Sequence, residues 1–105
     1  TTKNNNNSLL KEDQIKTYKS KINSAWELAD KNQALNLETE VEDFQATINL
    51  VNEIGKLAEE MDHHPDLHIH NWNHLSIYIT SHKAGGLTDQ DFILASKIDE
   101  LLKAK

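Results

Sequence analysis

The chain of 105 residues contains no cysteine, which excludes disulfides and thiolate metal sites. It also contains no arginine: eleven lysines face seventeen acids, for a net charge of -6. That balance argues against broad electrostatic capture of nucleic acid or of an anionic membrane. No apolar run approaches the ~18–20 residues that cross a bilayer, and no signal-peptide core is present. These absences leave the cytoplasm as the default compartment, with the nucleus open. The chain starts at Thr1 rather than Met, as a processed or trimmed chain would. There is no Gly-rich phosphate loop, no nucleophile elbow and no Ser-His-Asp order; Gly85-Gly86 reads as a turn. Proline occurs once, at Pro65, directly after two histidines.

What is present is an ordinary globular composition, 37 % hydrophobic and 27 % charged, of a length that suits one small domain. Residues 1–7, with the Asn4–Asn7 tract, are expected to form a disordered tail ahead of a single domain over 8–105. Ser8 is a candidate N-cap for a helix over Leu9–Ile22 with Leu10, Ile15, Tyr18 and Ile22 on one side. Trp26-Glu27-Leu28 starts a short strand, Asp30-Lys31-Asn32 supplies a turn, and Ala34–Val41 alternates as a half-buried strand. Asp43–Asp62 carries a helical stripe of Phe44, Ile48, Val51, Ile54, Ala58 and Met61, widened by Leu50 and Leu57, which Pro65 stops. Leu67–Asn71 and His74–Ser81 read as antiparallel strands around a tight connection at Trp72-Asn73. Thr88 with Asp91 resembles a capping box opening a last helix to about Leu102, with Phe92, Ala95, Ile98, Leu101 and Leu102 inward. The order αββαββα predicts an α+β fold: a four-stranded antiparallel sheet with three helices on one face. An unpaired edge strand of so small a sheet would suit self-association.

The six histidines all fall between His63 and His82, and the chemistry is sought there. His63 and His64 stand where a long helix is stopped. The helix C-terminus favours the charged imidazolium, burial favours the neutral ring, and a group poised between them moves protons near neutrality. The proline stiffens the corner. A His-His-Pro at a helix end is also what a simple C-terminal cap looks like. By strand parity His82 belongs with Ser76, Tyr78 and Thr80 rather than with Ile77 and Ile79, so it is expected at a strand end outside the apolar core. His68 and His70 project to one side of a strand and, with His63 or His64, could offer three nitrogens to a metal. The spacing matches no zinc signature, so no metal is expected, and His68, His70 and His74 read as exposed strand residues. Trp26 and Trp72 read as structural aromatics, with an interface role open for Trp72.

Glu59, three residues, His63-His64-Pro65, six residues, Trp72, nine residues, His82, eight residues and Asp91 form a spaced pattern. It resembles the signature of the pterin-4a-carbinolamine dehydratases over roughly residues 8–102, supported by Thr80-Ser81-His82 and Ala84-Gly85-Gly86-Leu87-Thr88. The resemblance implies an α+β fold, a homodimer or homotetramer, and no metal or organic cofactor. It implies a hydro-lyase that removes water from 4a-hydroxytetrahydropterin (4a-hydroxytetrahydrobiopterin) to give the quinonoid dihydropterin, in tetrahydrobiopterin recycling. It assigns catalysis to His63, His64 and His82, places Asp62, Thr80, Ser81, Lys83 and Trp26 around the substrate, and gives Glu59 and Asp91 supporting roles. It also implies two alternatives: a non-catalytic dimerisation cofactor that binds a homeodomain transcription factor, and a dehydratase-like protein acting on another pterin. No direct contact with nucleic acid and no membrane partner are expected. Two departures stand out: His68-Ile69-His70-Asn71 is richer in histidine than the family pattern, and the Pro65–Trp72 spacing is long.

Overall fold

The structure, a computed structural model, describes residues 9–103. The expected tail and the Ser8 cap lie outside the described residues. The elements are α1 (Glu12–Lys19), β1 (Glu27–Ala29), β2 (Ala34–Glu40), α2 (Phe44–Met61), β3 (Asp66–His70), β4 (His74–Ile79) and α3 (Asp89–Lys103). The strands form one antiparallel sheet in the order β1-β2-β4-β3. This is the αββαββα order expected from the sequence.

Each long element is fixed by a local device. The Asp43 carboxylate caps α2 by accepting the Ala46 N–H at 2.8 Å, a contact worth roughly 1 kcal/mol. The far end of α2 is a Schellman turn: Asp62 N–H donates to Glu59 O at 3.2 Å and His63 N–H to Ala58 O at 3.0 Å. Asp62 occupies its left-handed position, φ 52°, where a short polar side chain is tolerated in place of glycine. Asp30, Lys31 and Asn32 all have positive φ and reverse the chain between β1 and β2. Asn71 and Trp72 do the same between β3 and β4, and Asn73 then ties that hairpin to β2 by accepting the Val41 N–H at 2.7 Å.

The period-2 alternation puts Leu35 and Leu37 of β2, with Leu75, Ile77 and Ile79 of β4, on one buried face. Ile54 and Leu50 of α2 and Leu94, Ala95 and Ile98 of α3 join the same core, and Leu67 and Ile69 of the β3 edge pack against it half-buried. Each fully buried Leu or Ile contributes roughly 1.5–3 kcal/mol. The opposite face is polar. The register sets Asp66, Tyr78 and Asn36 in one row, His68, Ser76 and Glu38 in the next, and His70, His74 and Glu40 in the third. No helix among the described residues is long and apolar enough to cross a membrane.

Four expectations are corrected. Helix α1 starts at Glu12, not Leu9, because Gln14 Oε1 accepts the Lys11 N–H at 2.8 Å and fixes the start there; it ends at Lys19, before Ile22. In α2 the expected Leu50, Ile54 and Ala58 are buried, joined by Thr47, whereas Phe44 on the first turn is 53 % exposed. Strand β4 stops at Ile79, so His82 lies in a turn closed by the isolated Ser81–Gly86 bridge rather than at a strand end. Of the Thr88 capping box only half forms: Asp91 accepts the Thr88 N–H, while the Thr88 hydroxyl bonds elsewhere.

Candidate active site

His63 is held at the corner by the Schellman turn beneath it and by a buried carboxylate beside it. Its Nε2 lies 2.6 Å from Asp91 Oδ1; the His63 side chain is 15 % exposed and that of Asp91 is 0 %. An ionised carboxylate only accepts hydrogen bonds, so Nε2 carries the proton and donates it. That tautomer leaves Nδ1 as the ring's free nitrogen.

Asp91 stands in the first turn of α3, where the helix N-terminus favours negative charge. Its second oxygen, Oδ2, accepts the Thr88 N–H at 2.8 Å and the Ser81 hydroxyl at 2.9 Å. The Ser81 oxygen is in turn 2.9 Å from Thr88 Oγ1. Ser81, Thr88 and Asp91 are all buried. The network joins three elements that the sequence keeps apart: the end of α2 through His63, the segment after β4 through Ser81, and the start of α3 through Asp91.

The remaining expected site residues are placed as follows. His82 is next to Ser81 in the chain, exposed, in the turn where its carbonyl accepts the Gly85 N–H at 3.2 Å. Gly85 has φ 80°, a conformation that favours glycine and lets this turn close. Lys83 in the same turn is exposed. Thr80 is half-buried, its hydroxyl donating to Gln33 O at 2.6 Å. His64 points to the exposed side of the corner, where Nε2 meets Glu59 Oε2 at 2.5 Å. Asp62 is exposed between them. Thus Asp91 links His63 and Ser81, His82 follows Ser81 in the chain with its side chain outside this network, and His64 with Glu59 forms a separate exposed pair. Trp26 is fully buried in the core, with its indole N–H donating to Asp99 Oδ1 at 2.8 Å.

The other imidazoles stand on the polar sheet face. His70 stacks on His74 with ring centroids 5.4 Å apart, and its Nε2 is 3.3 Å from the Ser76 hydroxyl. His68 and His70 do share one side of β3, but no three metal-ligating side chains among the described residues converge to hold an ion. Two groups on this face are shifted. The Ser76 hydroxyl and the Asn36 amide, with a smaller contribution from His70, hold the Glu38 carboxyl below its ordinary range. The Asp30 carboxylate, which accepts from the Tyr78 hydroxyl, raises that phenol above its ordinary value.

Sequence reasoning missed the Ser81–Thr88 contact. Its signal was the pair of hydroxyl residues flanking a glycine turn just ahead of a buried first-turn acid.

The family model for pterin 4 alpha carbinolamine dehydratase matches residues 8–101. The chain is 42 % identical over 80 residues to the mitochondrial pterin-4-alpha-carbinolamine dehydratase 2 of Arabidopsis thaliana, covering 74 % of this chain and 43 % of that protein. It therefore spans less than half the length of that relative. A Saccharolobus islandicus protein provisionally named a pterin-4-alpha-carbinolamine dehydratase is 39 % identical over 83 residues, 79 % of this chain and 83 % of its own. Among solved structures, a transcriptional coactivator/pterin dehydratase from Brucella melitensis superposes with a TM-score of 0.80 at 22 % identity, covering 88 % of this chain and 96 % of that one. A pterin dehydratase-like RuBisCO assembly factor of the alpha-carboxysome gives 0.62 at 18 % identity, covering 73 % and 88 %. These two likenesses speak for the fold alone. With a family model spanning nearly the whole described domain, the chain belongs to the pterin 4 alpha carbinolamine dehydratase family.

Proposed function

We propose that the protein is a dehydratase that removes water from a 4a-hydroxytetrahydropterin to give the quinonoid dihydropterin, by histidine acid–base catalysis. Family membership carries the reaction class, and the buried His63–Asp91 pair supports the mechanism. The C–O bond breaks with its electron pair leaving on oxygen, so the departing hydroxide needs a proton as it goes. The neighbouring ring nitrogen gives up its proton, and that electron pair forms the new C=N bond. One imidazole supplies the first proton and another takes the second, so the pair ends with its total proton count unchanged.

His63 and His82 fill these two roles. Asp91 orients His63 with Nδ1 free and stabilises positive charge on the ring whenever it holds both protons. His82 reaches solvent and can exchange its proton there. His64, paired with Glu59 on the exposed side, is an auxiliary third imidazole. Asp62 and Lys83 flank the same corner as polar contacts for the pterin. Tetrahydrobiopterin recycling, with the biopterin side chain on the substrate, is the physiological setting proposed, in a homo-oligomer.

The test is the decay of freshly generated 4a-hydroxytetrahydropterin, followed by absorbance. Wild-type protein accelerates it, His63→Ala loses on the order of 10²–10⁴ of the rate, and His63→Ala with His82→Ala falls to the protein-free rate. A double variant as fast as wild type removes the assignment.

A second reading, a protein-binding role, draws on the shared fold with the Brucella protein described as a transcriptional coactivator. It predicts a specific regulator captured equally by wild type and by the His63→Ala, His82→Ala variant, and it fails if neither captures one.

A further inference from the structure

The Ser81 hydroxyl is turned inward. It is 2.9 Å from Asp91 Oδ2 and 2.9 Å from Thr88 Oγ1, and the residue is 7 % exposed. A hydroxyl has one proton to give. Since the carboxylate can only accept, Ser81 gives its proton to Asp91, and the proton between Ser81 and Thr88 must come from Thr88. The chain therefore runs one way: Thr88 O–H to Ser81, Ser81 O–H to Asp91 Oδ2. The Thr88 N–H lands on the same oxygen at 2.8 Å. Oδ2 thus receives two donors in a buried setting, where aligned hydrogen bonds reinforce one another. Oδ1 remains for His63.

We propose that Ser81 and Thr88 are positioning residues for His63: by loading Asp91 Oδ2 they fix the carboxylate plane, commit Oδ1 to His63 Nε2–H, and hold Nδ1 as the nitrogen that meets the pterin. This rests on His63 being the proton-transfer group of the proposed dehydratase. It gives Ser81 a different task from the substrate contact that the family pattern suggests. Ser81 has a second consequence, because the residue after it is His82. Its backbone is pinned by the bridge to Gly86, with Ser81 N–H donating to Gly86 O at 3.2 Å. Its side chain is pinned to the carboxylate that holds His63. One residue therefore sets the placement of His82 relative to His63.

Removing the hydroxyl takes one of the two donors from Asp91 Oδ2 and leaves the Thr88 N–H alone to set the carboxylate plane. The acceptor of the His63 ring is then less firmly fixed, and the ring samples both tautomers. The defect belongs in turnover rather than in ligand affinity.

The experiment is long-range ¹H–¹⁵N NMR of the full chain labelled in histidine, without substrate, for wild type, Ser81→Ala, Thr88→Val and Thr88→Ser. Wild type is expected to show His63 as the Nε2–H tautomer with an exchange-protected Nε2 proton. Ser81→Ala is expected to show a tautomer mixture and loss of that protected signal. Thr88→Val gives a smaller change in the same direction, and Thr88→Ser restores the wild-type pattern. Turnover measured beside the spectra should fall on the order of tenfold in kcat for Ser81→Ala with KM little changed, the scale on which an outer partner of a functional histidine acts. An Nδ1–H tautomer in wild type overturns the proposal, as does an unchanged His63 spectrum in both Ser81→Ala and Thr88→Val. Should Ser81→Ala fail to fold, Thr88→Val against Thr88→Ser decides. The expected tautomer shifts in the variants, beside a wild type that has no dehydratase turnover, would uphold the positioning role and sink the dehydratase assignment instead.

Discussion

Asp99 shows how one side chain holds two distant segments. Its two carboxylate oxygens accept the Trp26 indole N–H at 2.8 Å and the Asn23 N–H at 2.9 Å, tying the loop before β1 to α3. Asp99→Ala leaves the indole donor of a fully buried tryptophan unpaired, and a loss of about 1–3 kcal/mol in urea unfolding is expected. Asp99→Asn, which keeps one acceptor oxygen, should recover part of it. The sequence pattern indicated that Trp26 is a structural aromatic but could not name its partner, which lies 73 positions away. The same limit applies to Asp91. Its place in a first turn was legible from Thr88 and the helical period, whereas the contact with His63, 28 positions distant, depends on how two helices meet. Ser81 illustrates the opposite case: the family resemblance implied a place around the substrate, and its hydroxyl is turned inward onto Asp91.

Among the elements, α2 was the most legible, because its ends are set locally. Asp43 supplies the cap, Pro65 forbids continuation, and the observed helix Phe44–Met61 falls just inside the expected Asp43–Asp62. Helix α1 was less legible, since Gln14 rather than Ser8 defines its start and nothing in the hydrophobic period distinguishes the two. The sheet's polar face carries a pH prediction. Glu38 has a depressed folded-state value, chiefly through the Ser76 hydroxyl, so its stabilising contribution is present above the ordinary carboxylate value of 4.5 and is lost as pH falls through the lowered one. Tyr78 is raised by Asp30, so its contribution is present below the ordinary phenol value of 10.0 and is lost as pH climbs through the raised one. Thermal unfolding across pH should therefore show a shallower acid limb in Glu38→Gln and a shallower alkaline limb in Tyr78→Phe. Glu38 is exposed and Tyr78 only half-buried, so each change is small. Limbs identical to wild type in both variants would contradict the assignment.

For the whole molecule, a single core shared by the sheet and all three helices predicts one cooperative unfolding transition. The two tryptophans report on it differently. Trp26 is fully buried and Trp72, at the tip of the β3–β4 hairpin, is 60 % exposed. Trp72→Phe should retain a large red shift of emission on denaturation, coincident with the loss of helical circular dichroism. Trp26→Phe should leave a tryptophan whose emission is already red and scarcely moves. Separate midpoints for fluorescence and circular dichroism in Trp72→Phe would mean that the helices and sheet do not unfold together. The support for His63 shows another whole-molecule property. Every group that steadies its carboxylate partner comes from the short stretch between Ser81 and Asp91, and His82 lies within it. That stretch is a cassette: exchanged as a unit between relatives of this fold, it would carry the brace and its neighbouring imidazole together, whereas an insertion inside it would part them while leaving every residue of the pattern intact.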